Sequence, residues 1–72
     1  MAIDQLIDWI RATPFEPFDL VMPNGEKLHV PHQDFIWVLP DRRSVAVALT
    51  GGVMRLVNWQ MVAALEKKSS VQ

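Results

Sequence analysis

His29 and His32 stand three residues apart, with Asp34 just downstream and Asp19 upstream. Imidazole and carboxylate donors of this kind can ligate a divalent metal when they converge. His29 falls in a strand pattern and His32 in a turn after Pro31, so nothing in the spacing makes them converge. We expect a cross-strand Asp19–His29 pair and a surface His32 instead. Nucleophilic chemistry has still less to work with. The chain has no cysteine, and its serines, Ser44, Ser69 and Ser70, lie outside any glycine-framed elbow of the sort that exposes a nucleophile to its base. Gly51-Gly52 lacks the lysine and following helix of a phosphate-binding loop, so it predicts a hairpin turn. The expectation is a protein that is not an enzyme, with no catalytic, cofactor-binding or metal-ligating residue.

Two other constellations remain. Arg42, Arg43, Arg55, Lys67 and Lys68, with aromatic rings as stacking platforms, are the residues that could contact RNA or DNA. Seven basic residues against eight acidic ones, a formal charge of −1, leave little long-range field to gather phosphates. Trp9, Trp37 and Trp59 are candidates for a protein interface, since half of the 72 residues are apolar. A chain of this length buries only about 60% of the surface its unfolded form exposes. Covering the excess with a second copy or a protein partner is the simplest outcome, so a homo-oligomer is expected.

The elements that must carry these residues are organised around Phe18 to Val30. Pro23-Asn24-Gly25 suits a type I turn followed by a left-handed bulge residue. That turn sets Met22 against Glu26, Val21 against Lys27, Leu20 against Leu28, Asp19 against His29 and Phe18 against Val30. Phe18, Leu20, Leu28 and Val30 then share a face, whereas a two-residue turn would mix apolar with polar partners.

Upstream, Ile3, Leu6, Ile7 and Ile10 form one stripe of an amphipathic helix over residues 2–12, which Thr13-Pro14 should end. Pro14-Phe15-Glu16-Pro17-Phe18 predicts an extended connector whose phenylalanines pin helix to sheet. Downstream, Pro31-His32-Gln33-Asp34 predicts a turn. Strands follow at about 35–39, 44–50 and 53–57, with Met54 and Leu56 on one face and Val53, Arg55 and Val57 on the other. Residues 61–66 suit either a helix capped by Asn58 or, on our reading, a short closing strand after a turn at 58–60. Residues 69–72 are expected to fray, leaving 1–68 as a single small domain. No stretch approaches the about 20 apolar residues that span a bilayer, and neither a basic leader nor a cysteine is present. Membrane association is therefore not expected, and a cytoplasmic location is.

One helix and five short antiparallel strands predict an α+β fold, a strongly bent sheet or small SH3- or Sm-like barrel. Strands 35–39 and 44–50 are apolar on both faces, so one face should fill the interior and the other lie under the helix or a second subunit.

Pro14-Phe15-x-Pro17-Phe18, Asn24-Gly25, Val30-Pro31-His32, Phe35 and Ala64-Leu65-Glu66 together resemble a group of short uncharacterised bacterial proteins, a likeness that implies no activity. The order of helix, Asn-Gly hairpin and further strands is similar to the Sm-like RNA-chaperone proteins, whose edge strands build rings that bind RNA. Where that family carries a basic Lys-His pair, this chain has Asn58-Trp59. The function expected is that of a small non-enzymatic module that self-associates through apolar strand and helix surfaces. The alternative is an Sm-like nucleic-acid binder using Arg42 and Arg43.

Overall fold

The computed structural model describes residues 2–67. The α1 helix, Ile3–Arg11, carries Asp4 in its first turn and Arg11 in its last, each at the end whose partial charge it complements. Leu6 is fully buried, and Ile3, Trp9 and Ile10 pack beside it. The helix stops where expected: Ala12 is already extended, ahead of Thr13-Pro14.

The chain then lays down β1 (Phe18–Val21), β2 (Lys27–Val30), β3 (Ile36–Val38), β4 (Ser44–Ala48), β5 (Met54–Asn58) and β6 (Ala64–Lys67). The hairpin has the register that its turn dictates, from Phe18 opposite Val30 to Val21 opposite Lys27. Met22 N donates to Glu26 O, Gly25 N donates to Met22 O, and Gly25 sits at φ 90°, where an L side chain would be strained.

A single five-stranded bent sheet or closed barrel does not form. The six strands make two antiparallel sheets of three, ordered β2-β1-β6 and β3-β4-β5. The break falls after β2, where Pro31 has no N–H to extend the ladder. The chain then leaves the sheet through a 3-10 turn at Gln33–Phe35, which absorbs the start of the strand expected at 35–39. A second 3-10 turn, Thr50–Gly52, shortens the strand expected at 44–50 and stands in place of a simple Gly-Gly hairpin. The third, Trp59–Met61, is started by Asn58, whose side chain accepts from Gln60 N, and delivers the chain to β6. The closing segment is thus a strand, and it adds to β1 with Leu65 opposite Leu20.

The two sheets face each other across one interior. Phe18, Leu20, Leu28 and Val30 come from the first, Ile36, Val45, Val47 and Val57 from the second, and Leu6, Trp59 and Val62 close the ends. Phe18 is wedged between Trp9 (centroids 5.4 Å apart, T-shaped) and Phe15 (5.8 Å), so the connector does pin helix to sheet. The radius of gyration is 11.6 Å, close to the about 11 Å of a compact chain this long.

Candidate interaction surface

Because side chains alternate across a strand, the residues left over from the interior define two outer faces. On the first sheet that face is charged. His29 Nδ1 donates to Asp19 Oδ1 at 2.7 Å, the cross-strand pair expected from the hairpin register, and Lys27 Nζ reaches Glu66 across β1 at 3.0 Å. Hydrogen bonding to Glu66 raises the Lys27 ammonium above the usual lysine range.

On the second sheet the outer face is apolar. Trp37, Ala46 and Leu56 sit in one cross-strand row, with Ala48 and Met54 beside it. Trp37 is 45% exposed, Met54 60% and Leu56 66%. The helix does not cover this face, and of the three tryptophans only Trp37 is presented to solvent. Trp59 belongs to the core, and Trp9 packs on Phe18 with Lys67 Nζ 5.0 Å above its ring.

Backbone groups at the sheet edges follow from two hydrogen bonds. Leu39 N donates to Ser44 O, and Leu49 N donates to Val53 O. Since bonded and non-bonded pairs alternate in an antiparallel ladder, Ile36 and Val38 turn their N–H and C=O groups to the free side of β3. Met54, Leu56 and Asn58 do the same on β5. The other edges are guarded in ways that discourage strand addition. β2 carries Lys27 and His29 and runs into Pro31, β6 carries Glu66 and Lys67, and β3 is only three residues long with Pro40 just beyond. β5 has five residues and no proline, and its single charge, Arg55, is turned aside to bond Glu26 at 2.9 and 3.3 Å. The guanidinium hydrogen bond holds the Glu26 carboxyl below its usual range.

Between α1 and the free side of β3 runs a groove of about 620 Å³, floored and walled by Ile7, Ile10, Ile36, Val38, Leu39 and Pro40. Arg11, Asp34 and Arg42 stand along it. Arg42 Nη2 donates to Asp4 Oδ1 at 2.6 Å, which ties the loop after β3 to the first turn of the helix. That loop is shaped by Asp41, which accepts from Arg43 N, Ser44 N and Ser44 Oγ at 2.8–2.9 Å, and by Arg42 at φ 56°. These bonds, led by the Arg43 amide, hold the Asp41 carboxyl below its ordinary value.

The cations picked out from the sequence do not gather into a belt. Arg42 is matched by Asp4, Arg55 by Glu26 and Lys67 by Glu16 at 2.8 Å. Arg43 forms no salt bridge among the described residues, although its charge acts on the Asp41 carboxylate, and Lys68 lies outside them, as do residues 69–72. His32 stacks near Phe35, with centroids 5.9 Å apart, away from the Asp19–His29 pair. No group of three or more His, Asp or Glu side chains among the described residues is placed to hold a metal, and none of the helices there is long and apolar enough to cross a membrane.

Sequence reasoning named the tryptophans but missed Leu56, Met54 and the groove. The signal for the first two was present in their shared strand face. The groove depends on how α1 docks beside β3, which no local pattern encodes. No family model, no curated protein and no solved structure matches the chain.

Proposed function

We propose that this chain is a small non-enzymatic interaction module that pairs with a second copy of itself along the β5 edge, next to the apolar outer face of the second sheet. The observation that carries this reading is β5 itself. Met54, Leu56 and Asn58 direct unpaired main-chain groups outward, and no outward charge or proline opposes a neighbour. A two-fold antiparallel register is available that sets Leu56 against Leu56 of the second copy and Met54 against Asn58. Arg55 then faces Val57, so the two guanidinium groups avoid each other. The pairing would join two three-stranded sheets into one of six, with the Trp37–Ala46–Leu56 rows of both copies on the same side.

Size sets the requirement. A stable interface takes about 800 Å² from each partner, about a sixth of the 4847 Å² that the chain exposes. Backbone bonds alone do not supply that area. The exposed Met54 and Leu56 on the edge strand are the apolar side chains that a second copy would flank, while Trp37, two strands away on β3, stays on the open face of the joined sheet.

Size-exclusion chromatography with light scattering tests the reading. The wild-type chain should elute at twice its 8.2 kDa. Leu56→Pro should elute as a monomer with an unchanged circular dichroism spectrum, because proline removes an outward donor and leaves the β4 ladder intact. A wild-type monomer at high concentration would sink the proposal.

A further inference from the structure

Two asparagines occur in the chain, Asn24 and Asn58, and their side chains are held alike. Each accepts a hydrogen bond from the backbone N–H two residues on, Glu26 N and Gln60 N respectively, at 2.9 Å. The residues that follow them differ. Asn58 precedes Trp59, which is 5% exposed and whose N–H donates to Arg43 O at 2.6 Å. Asn24 precedes Gly25 at the exposed tip of the β1–β2 hairpin, with nothing within 4 Å of where a Cβ on Gly25 would lie.

The carboxamide carbon of an asparagine is an electrophile, and the backbone nitrogen of the next residue can close on it to form a cyclic imide. A side chain on that next residue obstructs the approach, so glycine is the most permissive neighbour. In this turn two bonds restrain the reaction. Gly25 N donates to Met22 O at 2.9 Å, and the bond from Glu26 N to Asn24 Oδ1 holds the carboxamide toward the residue beyond Gly25. Both bonds must release before the nitrogen meets the carbon.

We infer that Asn24 is a self-modification site, a deamidation gated by opening of the hairpin turn. Gly25 N attacks Asn24 Cγ; the new C–N bond forms as the bond to the amide nitrogen breaks, and the Gly25 proton leaves with that nitrogen as ammonia. Water then opens the imide at either carbonyl, giving Asp or an isoaspartyl linkage at position 24. The first product keeps an acceptor for Glu26 N and the same loop length. The second carries the main chain through Cβ and lengthens the loop by one atom, and this loop is what sets Phe18 against Val30. It also displaces Glu26, whose carboxylate ties the turn to Arg55 on β5. The inference stands on the hairpin turn and does not require the pairing at β5.

The test incubates the full chain and an end-capped peptide of residues 20–28 at neutral pH. Conversion is followed by the amide-to-acid mass gain of each asparagine, with aspartyl and isoaspartyl products separated by chromatography. Asn24 should convert in the peptide and about tenfold or more slowly in the folded chain, where two hydrogen bonds must open first. Unfolding the chain in urea should bring its rate to that of the peptide in the same urea. Asn58 should stay intact over the same period. Asn24→Asp should fold as the wild type does and abolish the mass gain, while the purified isoaspartyl chain should unfold at lower urea than Asn24→Asp.

A peptide in which Asn24 stays intact would overturn the site, as would faster conversion at Asn58. Equal rates in the folded chain and the peptide would overturn the gating. An isoaspartyl chain as stable as Asn24→Asp would overturn the effect assigned to the longer loop.

Discussion

The two sheets share one interior and differ on their outsides. Both turn branched and aromatic side chains inward, Phe18, Leu20, Leu28 and Val30 against Ile36, Val45, Val47 and Val57. Outward, the first sheet sets His29 on Asp19 and Lys27 on Glu66, whereas the second sets Trp37, Ala46 and Leu56 in a row. Hydrophobic burial explains the inside equally for both. It cannot explain why one outer face is built for water and the other is not. Ion pairs on exposed strands add little stability, but they do discourage a neighbouring chain from adding to β2 or β6. On the proposed reading, the difference concerns association more than folding.

The sharpest way to break this comparison is to attack the shared interior. Phe18→Ala in the first sheet and Ile36→Ala in the second remove fully or almost fully buried side chains. The costs expected are about 3–5 and about 2–5 kcal/mol respectively. Urea unfolding followed by fluorescence and by circular dichroism should give one coincident transition for each variant. If either mutant melted one sheet and spared the other, the two would have separate cores.

Next in size is the outer face. Leu56→Lys should shift stability by no more than about 0.5 kcal/mol when measured on dilute, monomeric protein, yet abolish association. A large loss of stability in the monomer would mean that Leu56 packs on its own chain and that the contrast between outer faces is false.

The smallest effect comes from pH and salt. The carboxyls of Glu26 and Asp41 are held low in the folded chain. Their contributions are complete above the ordinary carboxylate range and disappear as pH falls through the depressed folded values. Lys27, raised by Glu66, has the opposite sign: its contribution is complete below the ordinary lysine range and disappears as pH rises through the raised value. Thermal melts across pH at low and high salt should show salt weakening the Glu26–Arg55 and Lys27–Glu66 contributions, since both are exposed charge pairs. Asp41 should be the least sensitive, because the backbone amides and hydroxyl that hold it low outweigh the Arg43 charge beside it. A salt-insensitive alkaline limb would remove Lys27–Glu66 as a working contact.

Much of this architecture can be read from short-range chemistry. Pro23-Asn24-Gly25 defines its own turn, and the turn defines which face Phe18 and Val30 share, so the hairpin and the Asp19–His29 pair are legible in the residues alone. The helix is legible for the same reason, in the spacing of Ile3, Leu6, Ile7 and Ile10. The closing strand is not, because Gln60 to Lys68 satisfies helical and extended patterns alike. Its identity is decided by the far end of the chain, where β1 offers Leu20 to Leu65. The division into two sheets is hidden in the same way. Pro31 signals an interruption, but whether strands resume in the old sheet or begin a new one depends on long-range packing of Ile36 and Val47. The candidate surfaces are half legible. Apolar residues on both faces of 35–39 and 44–50 announce that something must cover them, while Arg11 becomes part of a groove only once the helix is docked.

The Glu26–Arg55 contact bears on how readily the β5 edge could be used. Glu26 lies in the hairpin turn of the first sheet and Arg55 on β5 of the second, and their two-pronged hydrogen bond spans the gap between them. The covalent links between the sheets run through Pro31–Phe35 and Trp59–Ala63. A tie away from both links restrains the sheets from swinging about them. The strand that offers its edge is thus already fixed in place, and a partner adding to it would lose little conformational freedom on its account.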